Sequence, residues 1–267
     1  MAWEEYGAAD GRPVLFLHGT PGGRLSAAKY EPFALARGLR LVAPDRPGYG
    51  LSTARPGMTL SDYAEALLDL CWWRGWGPVP VVAGSAGAAY ALALGAAASE
   101  MVTGVSIFSG IAPMTDDEAT TLIPVNQQLR SVVDDPGELQ RLVGGVRDAI
   151  LSGTLAGVPE DPALADALRP GADGMVADYQ NVFGKWRFDP VAVRVPVLWI
   201  HGTEDVNAPI PAARRLASQL PEARFEEVAG GVHAPSAETL NTVFDATPDP
   251  APRWSLLTSG HGESGGN

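Results

Sequence analysis

Short runs dominated by apolar residues recur along the chain, at residues 13–17, 39–43, 79–82, 102–108 and 195–200. Continuous runs of this length, rich in β-branched residues, predict strands buried on both faces, as in the middle of a parallel sheet. Residues 2–6 predict a short strand ahead of them and residues 223–228 a last one. Helices are expected at about 26–37 (closed by Gly38), 59–73 (capped by Thr59 or Ser61), 86–98, 208–220 and 236–244. Strands alternating with helices predict an α/β fold: a doubly wound, mostly parallel sheet with right-handed crossovers.

The alternation breaks near residue 113. Residues 114–189 carry many Asp, Glu, Arg and Pro residues, a helical repeat at Leu139, Leu142, Val143, Val146 and Ile150, and no buried strand. The expected organisation is a core of residues 1–112 and 191–245, with a helical cap at 113–190 inserted into it. Residues 246–267, rich in Pro and then Gly, predict a disordered tail that also holds His261.

Composition narrows the class. A net charge of −12 argues against nucleic acid and anionic membrane surfaces as partners. Residues 75–99 carry no charge, yet their Gly, Ala and Pro content predicts a buried strand and helix rather than a membrane span. The first residues lack the basic start and apolar stretch of a signal peptide, so a soluble, cytoplasmic protein is expected. Cys71, the single cysteine, sits among Leu67, Leu68 and Leu70 and reads as a core thiol. No metal-ligand spacing and no dinucleotide fingerprint occurs, so neither a metal nor a cofactor is expected.

The chemistry collects where strands end, as it does in open parallel sheets. Ser85 lies at a sharp bend between the run 79–82 and an Ala-rich helix. Small residues two before and two after it, Ala83 and Gly87, are what such a strand–turn–helix elbow requires. Asp205 and His233 follow later strands. A serine needs a base, and a histidine base works best when a carboxylate fixes its tautomer. His18, Gly19 and Thr20 end the run 13–17, and Asp45 and Arg46 follow the run 39–43. His18 and His201 read as structural, Asp45 and Arg46 as stabilisers of their turn, and Glu204 as the rival to Asp205. For Trp72, Trp73 and Trp76, packing at helix ends explains the cluster at least as well as substrate stacking. Gly84 and Ala86 are both minimal, which predicts room for substrate beside Ser85, with Gly84 as a substrate contact.

Residues 18–23, 45–52, 83–87 and 201–205, His-Gly-Thr-Pro-Gly-Gly, Asp-Arg-Pro-Gly-Tyr-Gly-Leu-Ser, Ala-Gly-Ser-Ala-Gly and His-Gly-Thr-Glu-Asp, together resemble the α/β hydrolase superfamily. The first glycine of that family's elbow is Ala83 here, and the family usually has one more strand before residue 13. The resemblance implies Ser85 as nucleophile, His233 as general base and then acid, and Asp205 as its orienting carboxylate. It also implies an oxyanion hole made by the N–H groups of Thr20 and Ala86. The expected activity is cleavage of a small-molecule carboxylic ester, lactone, thioester or amide through an acyl-enzyme. A biosynthetic cyclase or acyltransferase on the same triad, or a ligand receptor using the pocket, are the alternatives.

Overall fold

A computed structural model describes residues 1–247 apart from Ala156, Gly157 and Pro159, so most of the expected tail, His261 included, lies outside the described residues. Among the described residues seven strands form one sheet: β1 Trp3–Gly7, β2 Arg12–Leu17, β3 Leu39–Pro44, β4 Val79–Gly84, β5 Val102–Phe108, β6 Val197–Gly202 and β7 Ala223–Val228. Their order is β1-β3-β2-β4-β5-β6-β7. All neighbours run parallel except β1, which pairs antiparallel with β3 and forms the edge. β4 lies at the centre, and every one of its residues is buried.

Helices cover both faces. Helix α1 Glu31–Leu35 packs with α9 Ala237–Asp245 on one face, over Phe16, Leu41 and Ile200. On the other lie α2 Leu60–Trp73, α3 Gly87–Ala97 and α8 Ile210–Ala217, over Leu15, Val81 and Trp199. Residues 87–95 of α3 are all buried, which its many alanines permit by keeping the helix thin enough to sit between sheet and α2. The single helix expected at 26–37 is instead a 3-10 helix, Arg24–Tyr30, followed by the short α1. Pro32 explains the break, because it lacks the N–H that would continue the helix across that turn.

Between β5 and β6 the described residues form helices and loops. These include α4 Pro124–Ser131, α5 Pro136–Leu151, α6 Pro162–Leu168 and α7 Asp173–Phe183. Proline stands in the first turn of α4, α5 and α6, where its missing N–H costs nothing. The Asp135 and Asp161 side chains accept N–H groups at the starts of α5 and α6. These helices bury Leu129, Leu139, Val143, Leu168 and Met175 together, and Tyr49 of the core reaches into that cluster.

One sequence expectation changes in part. Trp76 is buried, but Trp72 and Trp73 are exposed, 81% and 67%, at the opposite end of β4 from Ser85. Trp73 still packs edge-on against Trp3, with ring centroids 6.0 Å apart, and beside the Arg74 guanidinium, whereas Trp72 is left largely in solvent; at that end of β4 neither ring can stack on a substrate at Ser85. Among the described residues no helix is long and apolar enough to cross a membrane.

Candidate active site

Ser85 follows the last residue of β4 with φ of +53°, a left-handed conformation that side chains other than glycine rarely adopt. The neighbouring backbone holds it there. The Ser85 N–H donates to Phe108 O (3.2 Å), and the Ser85 carbonyl accepts from the N–H groups of Ile111 and Ala88 (3.1 Å each). Gly87 is required by close approach: a Cβ on it would lie 2.2 Å from the carbonyl oxygen of Leu17. The elbow is thus wedged against the end of β2.

His233 reaches Ser85 from the loop after β7, with its Nε2 3.1 Å from the Ser85 Oγ. Its Nδ1 lies 2.8 and 3.0 Å from the two oxygens of Asp205, which follows β6. A carboxylate only accepts, so the imidazole proton sits on Nδ1 and leaves Nε2 free to accept from the serine hydroxyl. Asp205 is itself fixed, because its Oδ1 accepts the N–H groups of Asn207 and Ala208, both at 2.9 Å. Glu204 is exposed and takes no part in this chain of hydrogen bonds. His201 is buried, accepts from the Trp199 indole (3.2 Å) and donates to Ala208 O (2.7 Å).

The loop after β2 borders the serine on its other side. A Cβ on Gly19 would lie 3.6 Å from the Ser85 Oγ. Among the described residues, no backbone carbonyl accepts from the N–H of Thr20 or Ala86. Arg46, expected to serve only its own turn, instead grips this loop. Its Nη1 donates to His18 O (2.5 Å) and its Nη2 to Gly19 O (2.8 Å). Asp45 does serve the turn, accepting from Arg24 and from the Leu51 N–H.

Arg46 is paired with Asp178 of α7, and both side chains are 2% exposed. The same carboxylate accepts from Tyr49 (2.8 Å), Tyr90 (2.6 Å) and the Thr20 hydroxyl. Burial alone would raise the Asp178 pKa, but the Arg46 charge and these donors hold it below the ordinary carboxylate value. Sequence reading missed Asp178. Its signal is a charged residue on the apolar face of a helix, among Met175, Tyr179 and Val182.

His18 lies beneath the loop, fully buried, with Nδ1 2.9 Å from Gly19 O. Burial and the adjacent Arg46 lower its pKa to about 3. An unfolded chain protonates the same imidazole near 6.5, so between those values the unfolded state binds more protons. The contribution of neutral His18 to stability is complete above the upper value and is lost as pH falls toward the lower one. At ~1.4 kcal/mol per pH unit the loss reaches several kcal/mol. The melting temperature should therefore drop between pH 7 and pH 4.5, and less steeply in His18→Asn. An equally steep drop in that variant would contradict the assignment.

Two cavities meet at Ser85, Thr20 and His233. One, about 140 Å³, is lined by Ala86, Ile111, Tyr179, Val182 and Phe183, with Asn126, Asn207 and Asp178 as polar groups. The other, about 600 Å³, is an open cleft running past Gly22, Lys29, Tyr30, Ser109 and Pro235. Gly84 lines the larger cleft, but a Cβ on it would meet the Phe108 ring at 2.5 Å, so that ring already takes the place a side chain there would fill. The smaller space beside the serine is walled by the helices between β5 and β6, which supply Asn126, Tyr179, Val182 and Phe183. Cys71 is buried away from these cavities, and burial pushes its thiol pKa up to about 11.

The comparison with known proteins agrees with this architecture. A proline iminopeptidase of Arabidopsis thaliana is 31% identical over 155 residues, which are 50% of this chain and only 40% of that protein. A pimeloyl-[acyl-carrier protein] methyl ester esterase of Aromatoleum aromaticum is 29% identical over 83% of this chain and 91% of its own length. A solved structure of an esterase from Thermogutta terrifontis superposes with a TM-score of 0.65 at 22% identity, over 92% of this chain and 90% of that one, and shares the fold. The family model described as "Alpha/beta hydrolase family" matches residues 14–246, so the chain belongs to the alpha/beta hydrolase family.

Proposed function

We propose that the protein is a serine hydrolase that cleaves a small-molecule carboxylic ester through an acyl-enzyme on Ser85. The observation that carries this reading is the unbroken chain from Asp205 to His233 (2.8 Å) to the Ser85 Oγ (3.1 Å) on a strained elbow. His233 takes the serine proton as Oγ attacks the carbonyl, and Asp205 stabilises the imidazolium that forms. The N–H groups of Thr20 and Ala86 receive the negative oxygen of the tetrahedral intermediate. His233 then gives its proton to the leaving oxygen. Water, activated by the same imidazole, releases the acid.

Ester hydrolysis suits the site better than capture of the acyl group by a second substrate. The His233 side chain is 28% exposed and borders the open cleft, so water reaches the base freely. The esterase name of the Aromatoleum aromaticum relative points the same way. The helices of residues 113–190 serve as a cap that shapes the smaller cavity.

The unequal cavities predict an unequal substrate. A space of about 140 Å³ is close in volume to the engineered cavity of ~150 Å³ that holds benzene. One side of the ester is therefore expected to be limited to about six heavy atoms, while the other tolerates bulk in the open cleft. Two p-nitrophenyl and alkyl ester panels test this, one varying the acyl chain and one varying the alcohol. A steep cutoff is expected in one series only, moved to longer chains by Phe183→Ala. Equal tolerance in both series, or no turnover of any ester, would overturn the proposal.

A further inference from the structure

We infer that Asp178 is a positioning residue for the reaction: acting through Arg46, it orients the Gly19–Thr20 peptide and so couples docking of helix α7 to the oxyanion site. The inference rests on the reading of Ser85 as nucleophile and of the Thr20 N–H as an oxyanion donor.

The peptide that carries the Thr20 N–H also carries the Gly19 carbonyl. In a trans peptide these two groups point in opposite directions. Gly19 O is held from one side by the Arg46 Nη2 (2.8 Å) and by the His18 Nδ1 (2.9 Å). The preceding carbonyl, His18 O, is held by the Arg46 Nη1 (2.5 Å). One guanidinium thus fixes two successive carbonyls and turns the Thr20 N–H away from itself, on a loop that packs against Ser85. A cation at the carbonyl end also polarises the peptide and strengthens its N–H as a donor.

Arg46 can hold that position only if its own charge is balanced in a site that excludes water. Asp178 supplies the balance in a fixed geometry, with Arg46 Nε at 2.8 Å and Nη2 at 2.6 Å. Tyr49 and Tyr90 fix the carboxylate in turn, and Thr20 donates its hydroxyl to it. Asp178 stands on α7, between β5 and β6, whereas every donor to it stands on the remainder of the fold. The helix that lines the smaller cavity therefore also sets the peptide facing the developing negative charge. A substrate that seats α7 well completes the oxyanion site.

The test begins with turnover of a short p-nitrophenyl ester by the wild type; absence of turnover would remove the hydrolase reading itself. Given turnover, Arg46→Lys keeps a charge opposite Asp178 but cannot serve that carboxylate and both carbonyls together. Its kcat should fall about 10- to 100-fold with KM within about threefold, below the loss typical for deleting a whole oxyanion donor. Affinity for a trifluoromethyl ketone, which forms the tetrahedral oxyanion, should fall by the same factor. The pH profile of kcat/KM should stay in place, because His233 and Asp205 are untouched. Asp178→Asn should give the same pattern. If either charge variant fails to fold, Tyr90→Phe keeps both charges, removes one donor to Asp178, and should show the same proportional loss of kcat and ketone affinity on a smaller scale. A folded variant with wild-type turnover per site titrated by a fluorophosphonate, and unchanged ketone affinity, would overturn the inference while leaving the hydrolase reading intact.

Discussion

Ser85→Ala is expected to lower ester turnover by about 10⁴- to 10⁶-fold while leaving the fold in place. Alanine removes one oxygen atom, and with it the attacking group. The side chain contributes little to the structure, since the elbow is held by backbone bonds from Ser85 to Phe108, Ala88 and Ile111. The φ of +53° is strained for alanine as it is for serine, so the substitution changes chemistry rather than backbone demand. KM for a slow substrate should change little, because both cavities keep their walls. Residual activity above the water rate comes from binding and the oxyanion donors. Steady-state kinetics with a matched thermal melt checks both halves. A variant that turns over within tenfold of the wild type would remove Ser85 from the reaction.

The second large effect is expected at Asp205. Its Oδ1 is committed to the N–H groups of Asn207 and Ala208, so Asp205→Asn should keep its amide oxygen there. The amide nitrogen then takes the place of Oδ2, 2.8 Å from the His233 Nδ1. It donates a hydrogen where the carboxylate accepted one, so the imidazole shifts its proton to Nε2. That nitrogen can then no longer accept from Ser85. A loss of kcat of about 10⁴ follows, with the overall geometry preserved. Kinetics across pH 6 to 9 on a variant shown by circular dichroism to be folded checks this. A loss below about tenfold would mean that another group, Glu204 foremost, orients the histidine.

Much of this site is legible in the sequence because its parts announce themselves locally. Ser85 is bracketed by Ala83 and Gly87, Asp205 ends a strand in His-Gly-Thr-Glu-Asp, and His233 follows a glycine pair after β7. Each signal spans a handful of residues. The network around Asp178 has no such local form. Thr20 and Asp178 lie 158 positions apart, and Arg46 and Asp178 are 132 apart. Only the folded chain brings them together, and Arg46 looks like an ordinary turn residue until its two carbonyl acceptors are seen. Phe108 shows the same limit from the opposite side. Small neighbours of Ser85 suggest space at Gly84, which does line the larger cleft, but the aromatic ring from the adjacent strand takes the place its side chain would fill. Residue size at one position says nothing about what a neighbouring strand delivers there. Strands β5 and β7 fall where their composition puts them, while residues 26–37 divide at Pro32 because one missing N–H outweighs the helical pattern around it.

The most direct test of the account is covalent capture of the nucleophile. The protein is treated with a fluorophosphonate, digested, and mapped by mass spectrometry, with Ser85→Ala alongside. The account predicts one phosphonyl group per chain, on the peptide containing Ser85, formed in parallel with loss of ester turnover and absent from the variant. An unlabelled wild type, or a label on another residue with turnover intact in Ser85→Ala, would contradict it.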